Sequence, residues 1–150
     1  MGKRKRISED NLLQMMDRTV RHVKQQLSRE LKGTVSVLTT DQWILLQEVI
    51  DREGISPVQL AASSGKDQPT VTRMLHLMER HGWITREVSP VDRRSLWILP
   101  TKKGQELYRE VRTKSAESLR ESFAALDDKD MRQLRKCCRK LMQNADTATA

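Results

Sequence analysis

The sequence predicts a mainly α-helical protein with one small β-hairpin. Three observations lead there. Apolar residues recur at helical spacing over long stretches near both ends of the chain. Short segments in the middle open on capping residues and close on glycines. Two runs rich in β-branched and aromatic residues, WIT at 83–85 and LWIL at 96–99, flank a turn, SPVDRRS at 89–95.

The first helix is expected over 9–32. Leu12, Met16, Val20, Val23, Leu27 and Leu31 form one stripe about 35 Å long, and Gly33 is a plausible stop. A second helix is expected to start near Thr40-Asp41 as cap, to hold Trp43, Leu46, Val49 and Ile50 inside, and to end at Gly54. Ser56 caps a third, with Pro57 at its first position. SGKD at 64–67 is a turn, and Asp67 caps a fourth helix that stops at Gly82. After the two strands, Thr101 caps KKGQELYREVRTKSAESLRESFAAL. The last helix follows Asp127-Asp128, carries Met131, Leu134, Cys138 and Leu141, and has Asp130 placed to complete a capping box with Asp127. Residues 1–8 read as a disordered basic arm, and 144–150 as a frayed tail.

Composition narrows the function. The net charge of +8 favours a polyanionic partner. Residues 1–6 carry +4 and 57–104 another +4, whereas 7–56 carry −2 and 105–150 carry +2. No run of 18 apolar residues occurs, so no membrane span is expected, and the basic start lacks the apolar segment of a signal peptide. A soluble cytoplasmic protein is expected. Cys137 and Cys138 are adjacent, so no disulfide framework is implied. The three histidines, His22, His76 and His81, show neither metal-ligand spacing nor a nucleophile-base order, and no glycine-rich phosphate loop is present. No enzyme, metal or cofactor is expected.

Helix, short helix, tight turn, helix, hairpin is the order of a helix-turn-helix followed by a wing, a unit that reads DNA. In the helix from 68, Val71, Met74, Leu75 and Met78 face the core. Gln68, Pro69, Thr70, Thr72, Arg73 and His76 then face the major groove, where Gln pairs with adenine, Arg with guanine, and Thr meets either base. Lys66 and Arg80 are expected beside phosphates, which the helix N-terminus also favours. The wing turn carries Arg93 and Arg94 where a plain hairpin would use Asn-Gly. Both arginines suit a wing at the minor groove, with Asp92 orienting an arginine, Arg94 or Arg73, and Arg93 on phosphate.

From Leu38 to Gly104 the sequence resembles the MarR family of bacterial transcriptional regulators. The resemblance rests on LTTDQWILLQEV, SPVQLAASSGKDQPTVTRMLHLMERHGWI and DRRSLWILPTKKG. Asp92, Arg94, Thr101 and Gly104 match the family's wing pattern in register. Pro100 stands where the family usually has Leu, so a bent or shortened second strand is expected. The resemblance implies a single domain over 9–143, with a winged-helix lobe about 38–104 and dimerisation helices about 9–32 and 102–143. It implies a homodimer on a pseudo-palindromic operator, usually repressing. The long terminal stripes support a dimer independently, since they exceed what a small winged-helix lobe can cover.

Many family members answer to a small aromatic or phenolic ligand, for which His22, Trp43 and Tyr108 are candidate pocket residues, with core or interface roles as the alternative. Redox control is a second option. Arg135, Lys136, Arg139 and Lys140 surround the two cysteines, against the reading of a buried Cys138 on the apolar stripe and a partly exposed Cys137. The function expected is sequence-specific regulation of transcription on double-stranded DNA in the nucleoid. The rival is a winged-helix module that binds DNA without sequence preference, or binds protein; the run KRKR at 3–6 suits non-specific binding as well as specific.

Overall fold

A computed structural model describes residues 8–34, 37–52 and 54–148. It contains α1 (Glu9–Thr34), α2 (Thr40–Asp51), α3 (Pro57–Ser64), α4 (Gln68–Arg80), β1 (Ile84–Val88), β2 (Leu96–Pro100), α5 (Lys102–Ser122) and α6 (Asp128–Ala148). The chain divides into two compact units, residues 1–118 and 119–150. The protein is mainly helical, with a winged helix-turn-helix in the first unit.

Caps set most of the boundaries. Residues 1–7 of the expected arm lie outside the described residues, and Ser8 caps α1. Its carbonyl accepts from the Leu12 amide at 3.0 Å and its hydroxyl from the Asn11 amide at 3.4 Å. Gly33 does not stop α1, which continues to Thr34. A single helical glycine costs only about 1 kcal/mol, and Leu27 and Leu31 are buried within the preceding two turns. The cap of α2 is Thr39 rather than Thr40-Asp41. Thr39 and Gln42 form a reciprocal box, with bonds of 3.2 and 3.0 Å, while Thr40 is buried as the first helical residue. Ser56 and Gln59 form the same box at α3, and Asp67 Oδ1 accepts from the Thr70 amide at 2.8 Å at α4.

The core of the first unit is built on α2, α3, α4 and the hairpin. Leu45, Leu46, Val49, Leu60, Val71, Leu75, Met78 and Ile98 are closed to solvent. Each contributes about 1.5–3 kcal/mol by leaving water. Ile50 and Met74, both expected inside, are half-buried. The hairpin is antiparallel, from Ile84 opposite Pro100 to Val88 opposite Leu96. Pro100 does not shorten β2. Proline closes the ladder, where one missing N–H is tolerated, and the next amide, Thr101, donates to the Trp83 carbonyl at 3.0 Å. Ile55 adds a further bridge, its carbonyl accepting from the Ile98 amide at 2.8 Å.

Gly54, expected as the stop of α2, lies past its C-cap, Arg52. Its φ is +85°, and a Cβ there would overlap the Trp97 ring. Gly104 near the start of α5 admits the Trp83 carbonyl; a Cβ would lie 1.9 Å from that oxygen.

The second unit follows its own pattern. The helix expected to reach Leu126 ends at Ser122, and the chain turns through residues 123–125. Asp127 and Asp130 then form the expected box, with bonds of 2.8 and 3.3 Å. The expected tail is helical as far as Ala148. Met131, Leu134, Cys137, Cys138 and Leu141 are all exposed, so Cys138 is not buried. On α1 the stripe likewise changes character midway: Leu27 and Leu31 are buried, whereas Leu12, Met16 and Val20 are open.

Candidate nucleic-acid interface

Helix α4 separates its residues cleanly. Val71, Leu75 and Met78 are buried, while Gln68, Pro69, Thr72, Arg73, His76 and Arg80 are exposed together on the other side. Leu77 is also exposed, beside Arg73 on the helical wheel. A leucine outside the apolar spacing of α4 is the sequence signal for this exposed position.

Thr70 behaves differently from its neighbours. It is half-buried, and its hydroxyl lies 2.8 Å from Asp67 Oδ2 and 3.3 Å from an Arg73 nitrogen. The hydroxyl therefore gives its hydrogen to Asp67 and accepts from Arg73. Hydrogen bonds from the Thr70 amide and hydroxyl, with Arg73 nearby, hold the Asp67 carboxyl below its usual pKa against a small opposing effect of burial. The acid that steadies Arg73 is thus Asp67, through Thr70, and not Asp92.

The same carboxylate changes the helix N-terminus. Pro69 has no N–H, and the Thr70 amide is taken by Asp67. A negative charge therefore sits where a phosphate was expected to bind. Lys66 is also committed, with its ammonium 3.0 Å from Asp41 Oδ2. The α3–α4 turn brings Lys66 over the start of α2, where this ion pair forms. Arg80 stays exposed in the last turn of α4, where its charge suits the helix dipole.

The wing tip is a wider loop than a two-residue turn, which explains the absence of Asn-Gly. Buried Ser89 organises it, its hydroxyl accepting from the Val91 and Asp92 amides at 3.2 Å each. Its own amide donates to the Ser95 carbonyl at 2.9 Å. Among the described residues no non-glycine takes a positive φ, so the tip needs no glycine. Asp92 Oδ1 accepts from the Arg94 backbone amide at 3.0 Å. It shapes the loop rather than gripping a guanidinium, because an Asx turn reaches the local backbone first. Arg93 and Arg94 are exposed at the tip, and Val91 is 86% exposed beside them.

One link was invisible in the sequence. Arg86 of β1 places Nε 3.1 Å from Glu79 Oε2 of α4, as an ion pair without hydrogen-bond alignment. The guanidinium is largely covered and ties the wing to α4.

The candidate pocket residues differ in exposure. Trp43 and Tyr108 are buried and stacked, with ring centroids 5.9 Å apart, while His22 is exposed on α1. Burial raises the Tyr108 phenol, with Arg112 opposing and Asp51 adding to the shift. The Trp43 Nε1 is buried without a hydrogen-bond partner. A separate half-open cavity of about 640 Å³ lies between the end of α2, the hairpin and the start of α5, with Ile50, Arg52, Glu87 and Trp97 in its wall. Among the described residues no three of His, Cys, Asp and Glu are grouped to hold a metal ion, and no helix is long and apolar enough to cross a membrane.

Comparison with known proteins agrees with this geometry. The sequence profile of the MarR family matches residues 38–96. The transcriptional repressor MprA of Escherichia coli K12 is 32% identical over 103 residues. The chain belongs to the MarR family. The aligned stretch is 69% of this chain but only 58% of MprA, so the match spans little more than half of that relative. A crystal structure of MarR superposes with a TM-score of 0.73 at 26% identity, covering 99% of this chain and 98% of that one. A mutant of E. coli MarR crystallised with operator DNA superposes at 0.69 with 23% identity, over 90% of this chain and 99% of that one.

Proposed function

We propose that this chain is a sequence-specific DNA-binding regulator of transcription, a repressor that acts as a homodimer on a pseudo-palindromic operator. The observation that carries the reading is the α4 face: Gln68, Thr72, Arg73, His76 and Arg80 exposed together on a helix whose other side is core, with a two-arginine wing tied to it through Arg86 and Glu79. In this reading Gln68, Thr72, Arg73 and His76 meet base edges, Pro69 and Leu77 offer apolar contact to thymine methyls, and Arg80 meets phosphate. Thr70 aims Arg73. Arg94 enters the minor groove and Arg93 lies on its phosphate wall.

Two features favour specific over indiscriminate binding. Asp67 occupies the anion position of α4, and Asp41 engages the Lys66 ammonium. Both reduce the backbone attraction on which sequence-independent binding depends. In this reading the lobe spans about 38–104, and the dimerisation helices about 9–32 and 102–143. The open apolar residues on α1 (Leu12, Leu13, Met15, Met16, Val20) and on α6 (Met131, Leu134, Leu141, Met142) supply the dimer faces. The place of action is the nucleoid, and no enzymatic role is proposed. A phenolic ligand at Trp43 and Tyr108 would have to part the stacked rings, with the Trp43 indole N–H free to receive it.

Selection of binding sites from a random duplex library tests the proposal. Enrichment of an inverted repeat with half-sites about one helical turn apart, ~34 Å, is the expected outcome. Recovery of unenriched sequence would favour the non-specific module, and recovery of nothing a protein-binding one.

A further inference from the structure

Asp41 is gripped from both sides. Lys24 of α1 places Nζ 2.9 Å from Oδ1, and Lys66 of the α3–α4 turn places Nζ 3.0 Å from Oδ2. The two lysines are 17 and 25 residues from Asp41 in sequence, so one carboxylate joins three separate parts of the fold. Asp41 lies in the first turn of α2, between buried Thr40 and buried Gln42, behind the Thr39 capping box. The elements pack in series, α1 on α2, α2 on α3 and α3 on α4. The carboxylate bridges that series, tying α1 directly to the turn that launches α4.

Stability is a poor explanation for the arrangement. Partly exposed ion pairs contribute little to folding, and the apolar face of α2 already holds the unit together. What two separately held oxygens do supply is direction. Each lysine has its own acceptor, so α1 cannot swing against the α3–α4 turn without losing one contact or the other.

We infer that Asp41 is a positioning residue which, through Lys24 and Lys66, fixes the orientation of α4 relative to α1 and thereby the half-site spacing that the dimer reads. The inference rests on the proposed function. With α1 in the dimer face, a change in its angle to α4 is repeated by the two-fold axis and alters the separation of the two α4 helices. One base pair corresponds to ~3.4 Å along the duplex, so a small swing exchanges one spacing for another.

The test uses the full chain and duplexes built from the selected operator, with the half-sites held as selected, one base pair closer, or one base pair further apart. The wild type should prefer one spacing sharply. Asp41→Asn, and independently the double variant Lys24→Met with Lys66→Met, should reduce that preference about fivefold, the scale on which contacts of this exposure act. Because the readout is a ratio between spacings, a uniform loss of affinity or stability leaves it unmoved. Folded variants with the wild-type ratio would overturn the inference while leaving the proposed function standing. A wild type indifferent to spacing would remove the proposed dimeric operator, and the inference with it. Lys66→Met alone serves as a third variant if Asp41→Asn does not fold.

Discussion

Gly104 stands at the third position of α5, where helix propensity and packing predict opposite outcomes for alanine. Propensity alone favours Gly104→Ala by about 1 kcal/mol. The structure opposes it, because a Cβ would lie 1.9 Å from the Trp83 carbonyl oxygen. Ordinary carbon–oxygen contacts are ~3.3–3.6 Å, so α5 must retreat by more than about 1 Å. Three hydrogen bonds hold that junction: Thr101 amide to Trp83 carbonyl at 3.0 Å, Thr101 hydroxyl to Gly82 carbonyl at 2.6 Å, and Gly104 amide to Thr101 hydroxyl at 3.0 Å. At ~1 kcal/mol each, losing two or three costs about 2–3 kcal/mol. The expected net loss is about 1–2 kcal/mol, before any disturbance of Tyr108 and Val111 one and two turns further on. Urea unfolding at fixed protein concentration, followed by tryptophan fluorescence, measures it. A midpoint unchanged or raised, with unchanged slope, would refute the reasoning.

The other predictions concern the interface and its charges. Arg94→Ala should weaken operator binding while leaving the thermal midpoint in place; unchanged affinity in the folded variant would remove the wing from the interface. Arg73→Ala should cost ~1–3 kcal/mol on the operator and relax base preference at one position in each half-site. An equal loss on all sequences would make Arg73 a phosphate contact instead. Thr70→Val should reproduce part of the Arg73 defect, and Thr70→Ser should not, because only the hydroxyl joins Asp67 to Arg73. Equal behaviour of Val and Ser in binding assays would show that the relay does not aim the arginine. At Asp41, burial raises the carboxyl pKa, but the hydrogen bonds and charges of Lys24 and Lys66 outweigh it and leave it below 3.8. A lowered carboxyl stabilises the fold above its unfolded pKa and loses that contribution as pH falls through the folded value. The stability advantage of wild type over Asp41→Asn should therefore hold at neutral pH and close below about pH 4 in urea midpoints; a gap that widens on acidification would contradict the assignment.

The parts of the fold that the sequence revealed are those governed by near neighbours. Ser56 with Pro57, Asp67, and Asp127 with Asp130 announce helix starts within four residues, and Val71, Leu75 and Met78 announce a buried face within two turns. Through-space relations were not legible. Nothing local shows that Lys66 meets Asp41, that Arg86 meets Glu79, or that the Trp83 carbonyl needs the space above Gly104. One departure had a local cause: Asp92 carries a carboxylate suited to an arginine side chain, yet the nearer Arg94 backbone amide is bonded first. No apolar run announces the end of α6, yet the helix continues to Ala148.

The central claim is sequence-specific DNA binding. The most direct measurement is an anisotropy titration of the full chain on the DNA upstream of its own gene and on a shuffled duplex of equal length, at about 150 mM salt. The account predicts tighter binding to the native fragment by ~10³-fold or more. Equal affinity for both duplexes, falling steeply and in parallel with added salt, would contradict it.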